Sequence, residues 1–447
     1  MTLNKNDFSY NLNKGLDINV LIFPGGNEIG LEIAKSLRYC KGIHLFSGSS
    51  GVKNHSNFYF KNCFEIPDIS DPEKCISTLI KVIELYKIDV IYPANPLVID
   101  FLDKKKSLIP AKIAMTNSKS LSITRSKKIT YETLSQVLPT PKFFDKNIED
   151  LQFPLFIKPD SLYGSQGTRL VLSYDEYKLN PCSSEEICCE YLTGEEYTVD
   201  CFSDSKYNLL FVGARTRERI RMGTSMHCEQ VDEETKKILE DYARKIQTKI
   251  PISGGWFFQV KRSKNKTLKL LEVEARIAGT MSFHRVQGVN FPLLTLYDMY
   301  SYKLGIKTLE INDLEIDRSL QNRYKLKGFN YRTVYIDLDD TIIIKRKLNV
   351  LVISFLTQCI NEGKKIILIS KSLHPNPDNL LKKLRIIDFF DEIFWLKENE
   401  QKSNYIKDIN SIFIDDSFSQ RNEVTEKKGV LSFDPSMVEL LIKENAE

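Results

Sequence analysis

Short apolar, β-branched runs punctuate the first quarter of the chain. Ile18–Phe23 (INVLIF) ends at Pro24-Gly25-Gly26, and a helical period follows over Ile29–Leu37. Gly42–Phe46 predicts a second strand, Glu73–Tyr86 a helix and Asp89–Tyr92 a third strand. Strands alternating with helices at this spacing predict a parallel, doubly wound α/β sheet over 1–112. From 113 to 305 the pattern changes. A helix near Lys127–Leu138 is closed by Pro139–Pro141. Strand patterns then dominate: Pro154–Lys158, Arg169–Leu172, Glu196–Cys201, Leu209–Ala214, Trp256–Lys261 and Leu268–Glu274. Helical periods over Glu233–Lys249 and Pro292–Lys303 complete an α+β layout. Residues 306–330 hold no clear period and predict a linker. Over 331–447 the βαβ alternation returns, with strands at Val334–Ile336, Lys365–Ile369, Glu392–Trp395 and Ser411–Ile414.

With 447 residues the chain exceeds one ordinary core, so several domains are expected. The net charge of +4 is small for this length and gives no reason to invoke nucleic acid or a membrane surface. The polar opening MTLNKNDFSYNLNKG lacks an apolar signal core, and no run is long enough to span a membrane. Nine cysteines without a CxxC pair read as reduced thiols, which together with the rest predicts a cytoplasmic protein. The first glycine cluster, PGGNEIG, lacks GxGxxG spacing, and GIHLFSGSS ends without the acidic residue that would hold a ribose, so it reads as a structural turn.

Candidate chemistry concentrates in two places. In FIKPDSLYGSQGTRLV, Lys158 ends an apolar strand and a loop with Gly164, Ser165 and Gly167 follows. A fixed ammonium beside flexible backbone N–H groups suits a polyphosphate; a surface hairpin with a chance lysine is the alternative. Gln259 lies on one strand, and Glu272 and Glu274 on the next. Residues two apart on a strand share a face, so the two carboxylates converge and call for a cation between them. Hard oxygen ligands of this kind suit Mg²⁺, with a salt-bridged hairpin as the bland alternative. Arg276 continues that face.

These segments resemble the ATP-grasp superfamily of the carbamoyl-phosphate-synthetase and biotin-carboxylase type, over roughly 15–305. KPDSLYGSQG resembles the family's strand lysine and glycine-rich flap, CCEYLTGEEYTVDCFSD its hinge, and Gln259 with EVEAR its metal strands. The resemblance implies that Lys127, Lys158 and the flap hold ATP phosphates. Glu190, Tyr191 and Leu192 would form the adenine hinge, and Glu196 would contact the ribose. Gln259, Glu272 and Glu274 would ligate Mg²⁺, and Arg276 would stabilise the transferring phosphoryl group. The family's Asn is Glu274 here, which leaves the metal count open. RTRERIRMGTS sets Arg215, Arg217, Arg219 and Arg221 at alternating positions, so a continuing strand would put them on one face, toward an anionic substrate or toward solvent. His284 and Arg285, just past the metal strand, are further substrate-binding candidates.

In the last block, VYIDLDDTI places Asp337 and Asp339 directly after an apolar strand. Being two apart, Asp337 and Asp339 could both face a metal; a carboxylate offset by a cation can attack phosphorus, and the neighbouring Asp339 can serve as acid and base. KKIILISKS ends a strand on Ser370, Lys402 or Lys397 could neutralise an aspartyl phosphate, and SIFIDDS ends a strand on Asp415 and Asp416. This order resembles the haloacid-dehalogenase (HAD) superfamily over 331–447, and of the acidic pair Asp416 is expected as the direct Mg²⁺ ligand. The stretches between the motifs leave no room for a cap domain. The fold expected is therefore α/β and α+β multidomain: a Rossmann-like pre-ATP-grasp domain (1–112), an ATP-grasp domain (113–305) and an uncapped HAD-like Rossmannoid domain (331–447). The function expected is an ADP-forming carboxylate–amine ligase using ATP and Mg²⁺, coupled to an aspartyl-phosphate phosphatase. A small-molecule kinase and a nucleotide-binding regulator with a vestigial HAD domain are the alternatives. Expected partners are a small carboxylate, an amine and a phosphorylated substrate, with no nucleic acid or membrane and a homodimer left open.

Overall fold

The computed structural model describes residues 16–443 apart from 52–53, 145–150, 162–165, 222, 310, 312, 322, 325–327 and 372–373. The chain divides into two compact units, Met1–Leu320 and Gln321–Asn445. No helix among the described residues is long and apolar enough to cross a membrane.

The first unit opens with a parallel five-stranded sheet of order β3-β2-β1-β4-β5. Its strands are β1 (Ile18–Phe23), β2 (Ile43–Ser49), β3 (Asn62–Glu65), β4 (Val90–Pro93) and β5 (Lys112–Ile113). The apolar β1 and β4 lie at its centre and are buried on both faces, as crossover helices require. Those helices are α1 (Glu28–Leu37), the short α2 (Ser56–Tyr59), α3 (Pro72–Tyr86) and α4 (Pro96–Lys105). Each of the three long ones begins on a side-chain cap: Asn27, Asp71 or Asn95 accepts a backbone N–H of the first turn. The glycine cluster makes the β1–α1 turn. A Cβ on Gly30 would meet the Pro24 carbonyl oxygen at 2.5 Å, so the helix can start this close to the strand only with glycine there.

Helices α5 (Ser118–Arg125) and α6 (Lys127–Leu134) lead into a three-stranded antiparallel sheet, β7-β6-β8, of β6 (Leu155–Pro159), β7 (Arg169–Val171) and β8 (Glu186–Glu190), with α7 (Tyr174–Leu179) on its edge. A four-stranded antiparallel sheet follows, of order β10-β9-β14-β15: β9 (Glu196–Ser203), β10 (Leu209–Thr216), β14 (Gly254–Arg262) and β15 (Leu268–Glu274). One of its faces packs Tyr197, Val199, Cys201, Trp256, Phe258 and Val260 against Leu239, Ala243 and Ile246 of α8 (Glu233–Lys249). The other face carries Glu196, Thr198, Phe257, Gln259 and Lys261 and is left for the site. Between β10 and α8 run β11 (Ile220–Arg221), β12 (Thr224–Ser225) and β13 (His227–Glu229). After the short α9 (Ser282–Arg285), α10 (Phe291–Met299) packs back onto the first sheet's core through Phe291 and Leu296.

Two expectations need correction here. The stretch 306–330 is not a uniform linker: β16 (Glu315–Asp317) pairs antiparallel with β13, and the boundary between units follows at Leu320. The arginine alternation also breaks. Pairing with β9 ends at the Arg217 amide, which donates to the Glu196 carbonyl; Arg215 and Arg217 line one cavity, whereas Arg219 pairs with Asp317 in solvent and Arg221 is exposed.

The second unit is a parallel five-stranded sheet of order β21-β20-β17-β22-β23. Its strands are β17 (Thr333–Ile336), β20 (Lys365–Ser370), β21 (Glu392–Trp395), β22 (Ser411–Ile414) and β23 (Leu431–Phe433). A small hairpin of β18 (Ile343–Ile344) and β19 (Lys347–Leu348) fills the span between β17 and α11 (Val350–Asn361). Helices α12 (Pro377–Lys383) and α13 (Phe418–Lys428) complete the crossovers. Among the described residues the intervals between the strands hold only this hairpin, helices and turns.

Candidate functional sites

In the first unit, the register of the four-stranded sheet sets out the site. Arg215 pairs with Thr198, Thr198 with Gln259, and Gln259 with Glu272, so these four side chains form one row across β10, β9, β14 and β15. The next row joins Glu196 to Lys261. Two cavities stand on these rows. One, of about 270 Å³, is lined by Lys127, Lys158, Glu190, Tyr191, Leu192 and Glu196, with Gln166, Gln259, Lys261 and Glu272 among its other walls. The second, of about 340 Å³, shares Gln166, Arg217, Gln259 and Glu272 with it and adds Asn27, Glu28, Asn95, Thr198, Arg215 and Arg276.

Lys158 is buried at the end of β6. Its Nζ donates to the Tyr131 hydroxyl (2.8 Å) and the Leu271 carbonyl (3.2 Å), and Tyr131 in turn donates to Leu271 O (2.6 Å). The ammonium is thus aimed before any ligand arrives. Lys127 begins α6, which is capped by Ser126, and its Nζ reaches the Asp160 carbonyl (3.3 Å). Burial pulls the Lys127 ammonium below its usual range, with Lys158 acting the same way and Glu272 opposing. Glu190 pairs with Lys269 and accepts from the Lys142 amide (2.8 Å), which fixes the end of β8. Glu196 pairs with Arg217 and Lys261. Gly167 takes a positive φ of 68° beside Pro159; Gly164 and Ser165 lie outside the described residues.

Glu272 opens onto both cavities. Glu274 lines a smaller cavity together with Glu272, Lys127, Asp100 and Arg125, where it is bound to Arg276 (Nε to Oε2, 3.0 Å). Burial raises its carboxyl, with Arg276 opposing. Gln259 and Glu272, adjacent in the row, are open to both larger cavities, and Glu274 shares the smaller one with Glu272. Of the three substrate-binding candidates, Arg215 lines the second cavity. His284 and Arg285 line neither. His284 is buried among Phe211, Phe283 and Phe291, its Nε2 3.2 Å from Asp200 Oδ2 but off the line of a good hydrogen bond. Arg285 is tied to Glu32 of α1 through Nε (3.1 Å) and Nη2 (2.9 Å). Both join α9 to its surroundings rather than to the cavities. Arg219 pairs with Asp317 in solvent and Arg221 is exposed.

Sequence reasoning did not single out Tyr131, Thr198 or Lys261. Lys261 had a signal, since it lies two residues from Gln259 on an alternating strand. Tyr131 and Thr198 had none, because their roles arise from cross-element contacts.

In the second unit, Asp337 follows β17, Ser370 ends β20 and Asp415 follows β22. The parallel register brings these ends together. Lys402, at the start of a short 3-10 helix, is buried and places its Nζ 2.7 Å from Asp337 Oδ1 and 2.6 Å from Asp415 Oδ2. Lys397 is exposed. Burial pushes the Asp337 carboxyl up to about 6, with Lys402 and Ser370 opposing, and raises that of Asp415 as well. Oxygens of Asp337, Asp415 and Asp416 lie within 4.8 Å of one another. Three carboxylates against one ammonium leave two negative charges, the charge of one divalent cation, so the donor set fits Mg²⁺. Asp415 is fully buried and Asp416 exposed; both belong to the trio. Asp339 is exposed and stands outside it.

Residues 183–312 match the family model described as ATP-grasp in the biosynthetic pathway with Ter operon. No curated protein sequence matches the chain. Several solved structures are similar. Biotin carboxylase from Campylobacter jejuni, described as a β-γ-ATP complex, is 18% identical with a TM-score of 0.54, over 64% of this chain and 72% of that one. The biotin carboxylase domain dimer of Hydrogenobacter thermophilus 2-oxoglutarate carboxylase, with MgADP, ADP and bicarbonate, is 13% identical with a TM-score of 0.55, over 66% and 72%. L-amino acid ligase from Bacillus licheniformis is 19% identical with a TM-score of 0.50, over 64% and 75%. Glu196, Gln259, Glu272 and Arg276 all fall inside the stretch that the family model matches, and the chain carries the ATP-grasp fold.

Proposed function

We propose that the first unit is an ADP-forming ligase that joins a carboxylate to an amine through an acyl phosphate. The observation that carries this reading is the convergence of Lys127, Lys158, Gln259 and Glu272 on two adjoining cavities that share Gln259 and Glu272. Nucleotide phosphates at the shared wall would face an acceptor in the second cavity. Mg²⁺ held by Gln259 and Glu272 would neutralise phosphate charge when bound. Lys158 and Lys127 would bind phosphate oxygens, Glu190 to Leu192 the base and Glu196 the ribose. Arg276 would meet the charge developing on the phosphoryl group. The similar carboxylases are described with bound ATP or MgADP, which supports a nucleotide as the ligand here.

For the second unit we propose a Mg²⁺-dependent phosphohydrolase of the HAD type. Asp337 would attack phosphorus, Ser370 and Lys402 would hold phosphoryl oxygens, and Asp337, Asp415 and Asp416 would hold the metal. Asp339, beside the site in sequence, would act as acid and base. Hydroxylamine tests the ligase reading, because it captures acyl phosphates as hydroxamates. Incubation with ATP, Mg²⁺ and a carboxylate pool should give hydroxamate matching the ADP formed. ADP without hydroxamate would favour a kinase and sink the acyl-phosphate step.

A further inference from the structure

The row Arg215–Thr198–Gln259–Glu272 has two ends. Gln259 and Glu272 have work on the nucleotide side, whereas Arg215 and Thr198 have none in the scheme above, although both line the second cavity. Thr198 is 1% exposed, and among the described residues its Oγ1 has no hydrogen-bond partner. Leaving a buried hydroxyl unpaired costs about 1–3 kcal/mol, so one set in a cavity wall points to a ligand atom. The Arg215 guanidinium is fixed from behind. Its Nε donates to Asp200 Oδ2 (2.8 Å) and its Nη1 to Cys228 Sγ (3.3 Å), and Ser225 Oγ lies 3.1 Å from the same sulfur. Among the described residues no protein group engages Nη2. Burial works to raise the Asp200 carboxyl, but Arg215 and His284 outweigh it and hold it below the usual range. Asp200 is therefore the anion behind Arg215, and the guanidinium is a rigid, charged donor whose Nη2 is left for a ligand.

We infer that Thr198 and Arg215 form an anion subsite that reads a second carboxylate on the acceptor, separate from the one that ATP activates. The inference rests on the ligase reading and adds the substrate class: a compact dicarboxylic acid. Arg215 and Gln259 are two strand spacings apart, about 10 Å, a span that one short diacid with its flanking side chains can bridge.

The test is calorimetric titration of the full chain with glutarate and with pentanoate, which match in length and differ in the second carboxylate. The expected result is at least about tenfold tighter binding of glutarate. Thr198→Val, close to isosteric, should remove about tenfold of that affinity while leaving pentanoate and ADP binding unchanged. Arg215→Lys should weaken glutarate further, since lysine lacks the fork. Equal affinity for the two acids, or full glutarate affinity in Thr198→Val, overturns the subsite. ADP is titrated separately. A chain that discriminates the acids but binds no ADP refutes the ligase reading and keeps the subsite. One that binds ADP without discriminating does the reverse.

Discussion

Lys402 in the second unit is the group whose removal the geometry makes most consequential. Its ammonium touches Asp337 at 2.7 Å and Asp415 at 2.6 Å, and carboxylate oxygens of the trio lie within 4.8 Å of one another. Lys402→Met keeps the stem and deletes the charge. Two buried carboxylates would then face each other at about 4–5 Å, a repulsion of roughly 3–4 kcal/mol at an effective dielectric of 20. This agrees with the ~3–5 kcal/mol typical of breaking a buried ion pair. Native-state hydrogen exchange of the β17 and β22 amides reads this unit without interference from the other. In EDTA at pH 8 their exchange should accelerate roughly a hundredfold or more, since 1.4 kcal/mol is about tenfold. The acceleration should shrink on acidification, because Asp337 takes up a proton. Mg²⁺ should restore protection by replacing the lost cation. Acceleration below about threefold, or no rescue by Mg²⁺, would refute the argument that Lys402 and the metal balance one buried charge cluster.

Asp337→Asn should abolish phosphate release from p-nitrophenyl phosphate while leaving ADP release by the first unit intact, checked by parallel phosphate and ADP assays. The same variant should stabilise the metal-free protein at pH 8. A folded-state carboxyl raised to about 6 lends stability that is fully present below its unfolded value of 3.8 and is lost as pH rises through about 6. The difference from the parent, followed by chemical denaturation, should therefore vanish by about pH 4. Arg285→Gln should cost about 1 kcal/mol through the lost Glu32 pair and leave the acceptor KM unchanged, because Arg285 faces α1 and not a cavity; a raised KM would restore it to the substrate site.

What the sequence disclosed follows from how each feature is encoded. The strands Glu392–Trp395 and Ser411–Ile414 match their expected bounds because short apolar runs between polar turns specify parallel strands, the first half-buried at the sheet edge and the second fully buried. The second unit's cluster was legible because each acidic or hydroxyl residue follows directly on such a run, and a parallel sheet gathers strand ends at one edge. The choice of Lys402 over Lys397 was not, since it depends on the short helix that turns Lys402 inward. In the first unit Lys158, Gln259 and Glu272 announced themselves as polar groups in apolar strands. The arginine run misled because strand length is set by the partner, and β9 begins only at Glu196. The three residues of β16 carry no period, and their pairing with β13 is written only in three dimensions. The same is true of the Tyr131–Lys158 and Arg285–Glu32 contacts, which join elements distant along the chain.

The central claim is that the cavities on the four-stranded sheet cleave ATP to ADP on behalf of a carboxylate. It is tested most directly by nucleotide analysis of the full chain with ATP, Mg²⁺ and pooled carboxylates and amines, beside Lys158→Ala and Glu272→Ala. The parent should form ADP and phosphate only when an acceptor is present, and each variant should lose that release while keeping its fold. Appearance of AMP and pyrophosphate, or acceptor-dependent ADP release undiminished in either variant, would contradict the account.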